Sequence, residues 1–328
     1  MEIDFDNLDS SKEIKRNNNH CDDNGSGNGT KSGFVAIVGR PNVGKSTLLN
    51  KFIGTKVSIT ANKPQTTRHK ILGVKTVGND QIVFIDTPGI HKKSLKEINK
   101  IMNKSALSAL YDVEVVLFVI EALKWTEQDE LVINKITDAK LDSPVFLIVN
   151  KIDKVTDKNS LLPFMQEIGT KYNFKEIIPV SALKDDLTQL ANFEKAIFKH
   201  IPDSPHFFDS HQVTDKDLKF RLAEIVREKL TRLLGQELPF ALTVQIEAME
   251  KEEKRYLIHS IIWVEKDSQK HIVIGKKGSK LKEVGIQARR DMEFVLDLAV
   301  HLKLWVKVKS GWSDSHKALQ DLGFLDID

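Results

Sequence analysis

Gly39-Arg40-Pro41-Asn42-Val43-Gly44-Lys45-Ser46-Thr47 fills every required position of the pattern G-x-x-x-x-G-K-[ST]. Glycines at those places let the backbone curl so that successive N–H groups point inward at a polyphosphate. Lys45 adds a point charge and the Ser46 hydroxyl can ligate magnesium. GFVAIVG, residues 33–39, precedes the loop as a short apolar run of the kind that forms a buried parallel strand. TLLNKFIG follows it as a helix closed by Gly54, whose positive N-terminal end adds to the phosphate site. Strand, loop and helix in that order predict a nucleoside triphosphate pocket.

Three stretches further along narrow the nucleotide. QIVFID, residues 81–86, reads as a strand ending in an acid and continues into Asp86-Thr87-Pro88-Gly89. There Asp86 can hold magnesium through water and the Gly89 amide can face a terminal phosphate. SPVFLIVNKID runs a second strand into Asn150, Lys151 and Asp153; a carboxylate at 153 can accept from the N1–H and exocyclic amine of guanine, which adenine does not offer. EIIPVSAL repeats the pattern and sets Ser181 and Ala182, with Leu183 next, where a backbone amide could meet the guanine carbonyl. Between the first helix and the next strand, SITANKPQTTRHK is too long and polar for a simple connection and should be mobile when empty. Thr66 or Thr67 is then the residue that closes over magnesium, Thr67 the preferred of the two.

From 33 to about 200 apolar strands alternate with amphipathic helical stretches, with strands expected at 33–39, 70–77, 81–86, 114–120, 144–149 and 176–180. Val77-Gly78-Asn79-Asp80 has turn chemistry, so the second and third strands should form an antiparallel pair. The expected fold class is an α/β P-loop GTPase domain, with a mostly parallel sheet and helices on both faces, followed by a second, α+β domain. The corresponding spans are a disordered tail over 1–31, the nucleotide domain over 32–200, a linker over 201–214 and the second domain over 215–328. A chain of 328 residues with 41% hydrophobic content and a net charge of +3 can fill two cores. The single cysteine, Cys21, leaves no internal disulfide, and no apolar run reaches the roughly 18 to 20 residues that span a bilayer, so the chain reads as cytoplasmic.

The second domain opens with a helix that gathers Leu218, Leu222, Ile225, Val226 and Leu233 on one side. Two alternating strands follow, then Gly275-Lys276-Lys277-Gly278, a long helix and a last strand, HLKLWVKVK. Two basic residues between glycines suit a loop that clamps a nucleic-acid backbone in the KH manner, and the helix–strand–strand–GxxG–helix–strand order makes the expected fold an α+β type II KH domain. Residues 270–310 hold ten Lys or Arg against four Asp or Glu, with Lys280, Lys282 and Arg289 among them, a local excess that suits phosphates. An acidic membrane surface could use the same charge. Ile272, Ile274 and Val284 are candidates for a base-binding groove or for the core, and Trp263, Trp305 and Trp312 for base stacking or packing.

GRPNVGKST, PQTTRHK, DTPGIHK, NKID, SAL, REKLTRLLGQELPF and IGKKGSKLKEVGIQAR together resemble the Era family of bacterial ribosome-assembly GTPases over about 33–325. The resemblance implies GTP or GDP with Mg2+. Gly39 to Thr47, Thr66, Thr67, Asp86 to Ile90, Asn150, Lys151, Asp153 and Ser181 to Leu183 would lie at the nucleotide, and Ser46, Thr67 and Asp86 at the metal. It also implies a monomer whose partners are the 3′ end of 16S rRNA and the 30S subunit, with peripheral association at the inner membrane. Many GTPases orient the attacking water with a Gln just after the DxxG glycine; here Ile90 stands there, followed by His91. Similar proteins with Asn at the position of Asn42 use it to hold a potassium ion in place of an arginine finger. The reading is a slow guanine-nucleotide switch; an RNA-binding scaffold with structural GTP, or an RNA-modifying GTPase, are the alternatives.

Overall fold

The computed structural model describes residues 29–63, 65–90, 96–184, 187–235 and 241–324; most of the expected tail, and His91, lie outside them. Six strands build the first sheet: β1 (Ser32–Val38), β2 (Ile71–Val77), β3 (Asp80–Asp86), β4 (Val115–Glu121), β5 (Val145–Asn150) and β6 (Glu176–Pro179). Their order is β2-β3-β1-β4-β5-β6, with β2 and β3 antiparallel and the other pairs parallel. The runs are apolar on both faces because both are covered. Val35 and Ile37 enter one core cluster, Ala36 and Val38 the other. Helices α1 (Lys45–Ile53), α2 (Glu97–Ser108), α3 (Glu127–Asp138) and α4 (Leu161–Gly169) connect the strands, and α5 (Leu187–Phe198) follows β6. The functional loops therefore leave the carboxyl ends of β1, β3, β5 and β6, the crevice where such sheets bind ligands.

The stretch 201–214, expected as a linker, lies along this sheet. Val74 N donates to Val213 O at 3.0 Å, and the Gln81 side chain takes both Phe207 N and Phe208 N at 3.0 Å while donating to Phe208 O at 2.8 Å. An edge strand with unpaired backbone groups, β2, recruits this segment and is thereby covered.

The second sheet holds β7 (Leu242–Lys251), β8 (Arg255–Val264) and β9 (Ala299–Val308), with β7 antiparallel and β9 parallel to β8. Helices α6 (Leu218–Leu233), α7 (Asp267–Ile274) and α8 (Ser279–Leu296) pack on one face around Ile258, Ile262, Leu281, Val284 and Met292. Val284 is therefore core rather than groove. Ile272, on α7, remains 43% exposed.

One expectation is corrected by packing. α6 reads as one-sided, yet every residue from Leu222 to Thr231 is buried, Glu224, Arg227, Glu228 and Lys229 included. Its apolar side meets the second sheet, and its charged side meets the loop between α1 and β2. A second seam joins Ile98 and Met102 of α2 to Trp312, Leu319 and Phe324. Trp312, a stacking candidate, is 0% exposed there and cannot reach a base. Replacing it with alanine should lower stability by about 3–5 kcal/mol, the cost of emptying a large buried site. Urea unfolding of Trp312→Ala beside the unaltered chain checks this.

Candidate functional site

The loop after β1 takes backbone angles that exclude ordinary side chains. Gly39 has φ 151° and Gly44 φ 102°; a Cβ would sit 2.4 Å from Val119 O at the first and 2.3 Å from Asn150 Nδ2 at the second. Asn42, at φ 63°, accepts the left-handed turn that asparagine tolerates best among larger residues. Gly44 caps α1 with no side chain on its first amides, which leaves them for an anion. Lys45 is 6% exposed and donates to Gly39 O and Arg40 O, both at 3.0 Å. Burial pulls its pKa down to about 8, against the opposing charge of Asp86. A cavity of about 560 Å³ opens above the loop, lined by Lys45, Ser46, Thr67, Gly89, Asp153 and Ala182 among others.

At one end of this cavity oxygen atoms converge. Asp86 Oδ2 accepts from Ser46 Oγ at 2.7 Å and Ser58 Oγ at 2.9 Å, and Ser46 Oγ lies 2.7 Å from Thr67 Oγ1. Asp86 is wholly buried, burial raises its pKa, and its Oδ1 has no partner. A buried carboxylate oxygen left over beside two hydroxyls is the hard-oxygen donor set a magnesium ion fits. Thr67 stands in this cluster, whereas Thr66 turns its hydroxyl to Lys63 O at 2.6 Å. The loop expected to be mobile is held from both sides: Arg227 donates to Thr66 O, Arg68 to Leu242 O at 2.7 Å, and Arg232 to Thr60 O at 2.9 Å.

At the other end, Asn150 ties loops together rather than facing a base. Its Nδ2 donates to Val43 O at 2.7 Å, and its Oδ1 accepts from Lys151 N at 2.7 Å and Ala182 N at 3.0 Å. The Ala182 amide, expected to meet the guanine carbonyl, is thus already hydrogen-bonded and would have to share its proton. Asp153 accepts from Ser181 Oγ at 2.7 Å, which orients the carboxylate and leaves its other oxygen for two donors. Leu183 is 71% exposed beside it. Among the remaining loop residues, Val43, Thr87 and Ile90 have buried side chains, Thr87 Oγ1 donating to Ile37 O at 2.9 Å. Gly89 passes so close to the loop that a Cβ would lie 2.7 Å from Pro41 Cγ.

Two acids escaped the motif reading. Arg40 turns beneath the loop, where Nε meets Asp129 at 2.9 Å and Nη2 meets Glu121 at 3.4 Å. Glu121 also takes Lys151 Nζ at 3.0 Å, and Lys151 donates to Asn42 O. The sequence signal was present in the capping box that Thr126 and Asp129 form at the start of α3. The capping pattern marks a helix end; only the fold adds Arg40.

In the second domain Gly275, Lys277 and Gly278 take φ of 74°, 52° and 77°, and a Cβ on Gly275 would meet Lys280 Cγ at 2.8 Å. Lys276, Lys277 and Lys282 are exposed at the start of α8, with Lys280 half-buried. Arg289 lies far along the helix with its Nε 3.8 Å from Glu293, away from the loop.

Residues 34–151 match the family model described as 50S ribosome-binding GTPase, and 237–313 match the KH domain model. GTPase Era of Yersinia enterocolitica is 49% identical over 298 residues, 90% of this chain and 97% of that protein. The chain belongs to the GTPase Era family. GTPase Era of Yersinia pestis (strain Pestoides F) is 50% identical over the same share. The crystal structure of Era in complex with MgGDPNP and nucleotides 1506–1542 of 16S ribosomal RNA has a TM-score of 0.85 and 40% identity, covering 90% of this chain and 99% of that one. A variant of Aquifex aeolicus Era bound to GDP.AlF4- is equally similar, at TM-score 0.85 and 39% identity, with the same coverage. The fold is thus a P-loop GTPase domain followed by a KH domain, and this Era-family chain is a GTPase.

The depressed Lys45 pKa sets a pH dependence. Phosphate binding favours its charged form, so nucleotide affinity should hold up to about pH 8 and fall above it, approaching tenfold per pH unit. Because the folded value lies below the unfolded one, the nucleotide-free fold gains stability over the same rise in pH, and the two trends oppose. GDP titrations from pH 7.5 to 10 read the first and urea unfolding the second; Lys45→Arg, charged throughout, should flatten the affinity curve.

Proposed function

We propose that this chain is a slow guanine-nucleotide switch whose KH domain holds the 3′ end of 16S rRNA while the 30S subunit matures. The observation that carries the reading is the likeness, over 90% of the chain, to an Era structure holding both MgGDPNP and a 16S rRNA segment. The RNA in that similar structure is 16S, from the small subunit.

In this reading the loop amides from Asn42 to Thr47 and the Lys45 ammonium bind the β- and γ-phosphates. Ser46, Thr67 and Asp86 hold magnesium, which when bound neutralises charge on the phosphate oxygens. Asp153 selects guanine with Ser181 orienting it, while Asn150 and Lys151 fix the loops around the base. Ile90 is 4% exposed and packed in the core, so no side chain at that position orients water and intrinsic turnover is slow. Lys276 and Lys277, with Lys280 and Lys282, meet RNA phosphates. The same exposed lysines would support a peripheral membrane contact, and among the described residues no helix is long and apolar enough to cross a membrane.

Asn42 is exposed at the loop's tip with its carbonyl accepting from Lys151, which supports a role for its side chain in holding potassium beside the phosphates. Turnover should be faster in potassium than in sodium at equal ionic strength, and Asn42→Ala should erase the difference. Phosphate release assays in the two salts decide it, and equal rates for the unaltered protein would remove the potassium role. Exchanging Lys276 and Lys277 for Asp places two negative charges against phosphates and should cost at least about tenfold in rRNA affinity with GTP binding intact. Filter binding with a 16S 3′-end RNA reads the loss; retained affinity would remove the loop from the RNA site.

A further inference from the structure

Two tryptophans of the second sheet, Trp263 and Trp305, remain outside its core cluster. Side chains alternate along strands, so Ile258, Ile262 and Val264 of β8 enter the core beneath α6, α7 and α8, while Leu257, His259, Ile261 and Trp263 stand on the opposite face. The parallel register with β9 places Lys303 beside His259, Trp305 beside Ile261 and Lys307 beside Trp263 on that same face. His259 meets the Trp305 ring edge-on at 5.1 Å, and Lys307 and Lys309 each set Nζ 5.9 Å from the Trp263 ring. Trp263 Nε1 donates to Gln245 Oε1 at 3.2 Å, which fixes the indole plane. Trp312 shows what a packing tryptophan looks like here, at 0% exposed; Trp263 and Trp305 are both partly open to solvent.

We propose that this sheet face is a second RNA-binding surface, stacking unpaired bases on Trp263 and Trp305 and holding their phosphates with Lys303, Lys307 and Lys309. Planar rings interleaved with cations match a strand in which bases alternate with phosphates. The pairs that Lys307 makes with Glu247 at 3.4 Å and Lys309 with Asp321 at 3.8 Å join partly exposed groups, and pairs of that kind exchange readily for a phosphate. A lipid surface would need protruding apolar side chains, whereas Ile261 between the rings is 3% exposed. The proposal extends the RNA-binding reading above, on which it rests: a KH loop clamps about four nucleotides, and longer RNA needs further surface.

Fluorescence anisotropy on the full chain, with single-stranded oligoribonucleotides of about four and about twelve nucleotides, separates the two surfaces. Trp263→Ala with Trp305→Ala should weaken the longer RNA about fivefold or more and leave the shorter unchanged. Lys303→Glu with Lys307→Glu should do the same and reduce the salt dependence, and these positions lie outside the core, so the variant tests the face even if the tryptophan pair folds poorly. Unchanged binding of the longer RNA by both variants overturns the proposal. So does an equal loss of both RNAs, or a loss confined to retention on phosphatidylglycerol vesicles. The Lys276→Asp, Lys277→Asp chain reports on the other site: if it keeps the shorter RNA, the loop reading fails while the sheet face is still judged by the longer one.

Discussion

Glu228 sits at the joint on which this molecule turns. It is wholly buried on α6, and its carboxylate takes Lys56, Arg232 and the Thr60 amide, of which Thr60 and Arg232 line the cavity above the phosphate loop. Lys229, next on the helix, reaches Asp291 on α8, and Asp291 also receives Lys56. A buried carboxylate is tolerated only when it is paired, and Glu228 has several partners, of which Lys56 and Arg232 stay partly exposed. The GTPase and KH domains therefore meet through a set of charges centred on Glu228 and Asp291. A loop that holds Thr67 at the Ser46–Asp86 cluster is fastened on either side of that threonine, at Thr66 O by Arg227 and at Arg68 by Leu242 O. Movement of that loop cannot leave α6 unaffected.

A second buried network supports the phosphate loop from below. Arg40 between Asp129 and Glu121 fixes the loop's first turn, and Lys151 links Glu121 to the carbonyl of Asn42 at its tip. Asn150 then carries the connection to Val43 and Ala182. The phosphate loop, the loop after β5 and the end of β4 are one hydrogen-bonded unit, so the cavity keeps its shape through side chains bonded to one another and to the loop backbones. This preorganisation lets backbone amides act as a binding site without reorganising for each ligand.

The geometry of the phosphate loop was legible from sequence because it is local. Gly39, Gly44, Lys45 and Ser46 act within one loop, and the strand ends that carry Asp86 and Asp153 announce themselves as apolar runs that stop at an acid. The GxxG turn was legible for the same reason, since Gly275 and Gly278 each need a backbone angle few residues adopt. Burial of Ile90 and the role of Asn150 were not, because a motif records which residue stands at a place but not which way it faces.

The sequence by itself determined the two fold classes, the strand positions, the phosphate loop and the basic turn, because each follows from periodicity or backbone preference over a few neighbouring residues. Only the tertiary structure decided that α6 is buried all round, that the stretch 201–214 covers the edge at β2, that Thr67 and not Thr66 faces Asp86, and that Trp312 is core while Trp263 and Trp305 share an outer face. Most of these depend on partners more than a hundred residues away, or on the register of one strand against another, and Thr67 meets Asp86 only through the path the loop takes. Burial is a property of the pair that packs, and neither segment's sequence contains it alone.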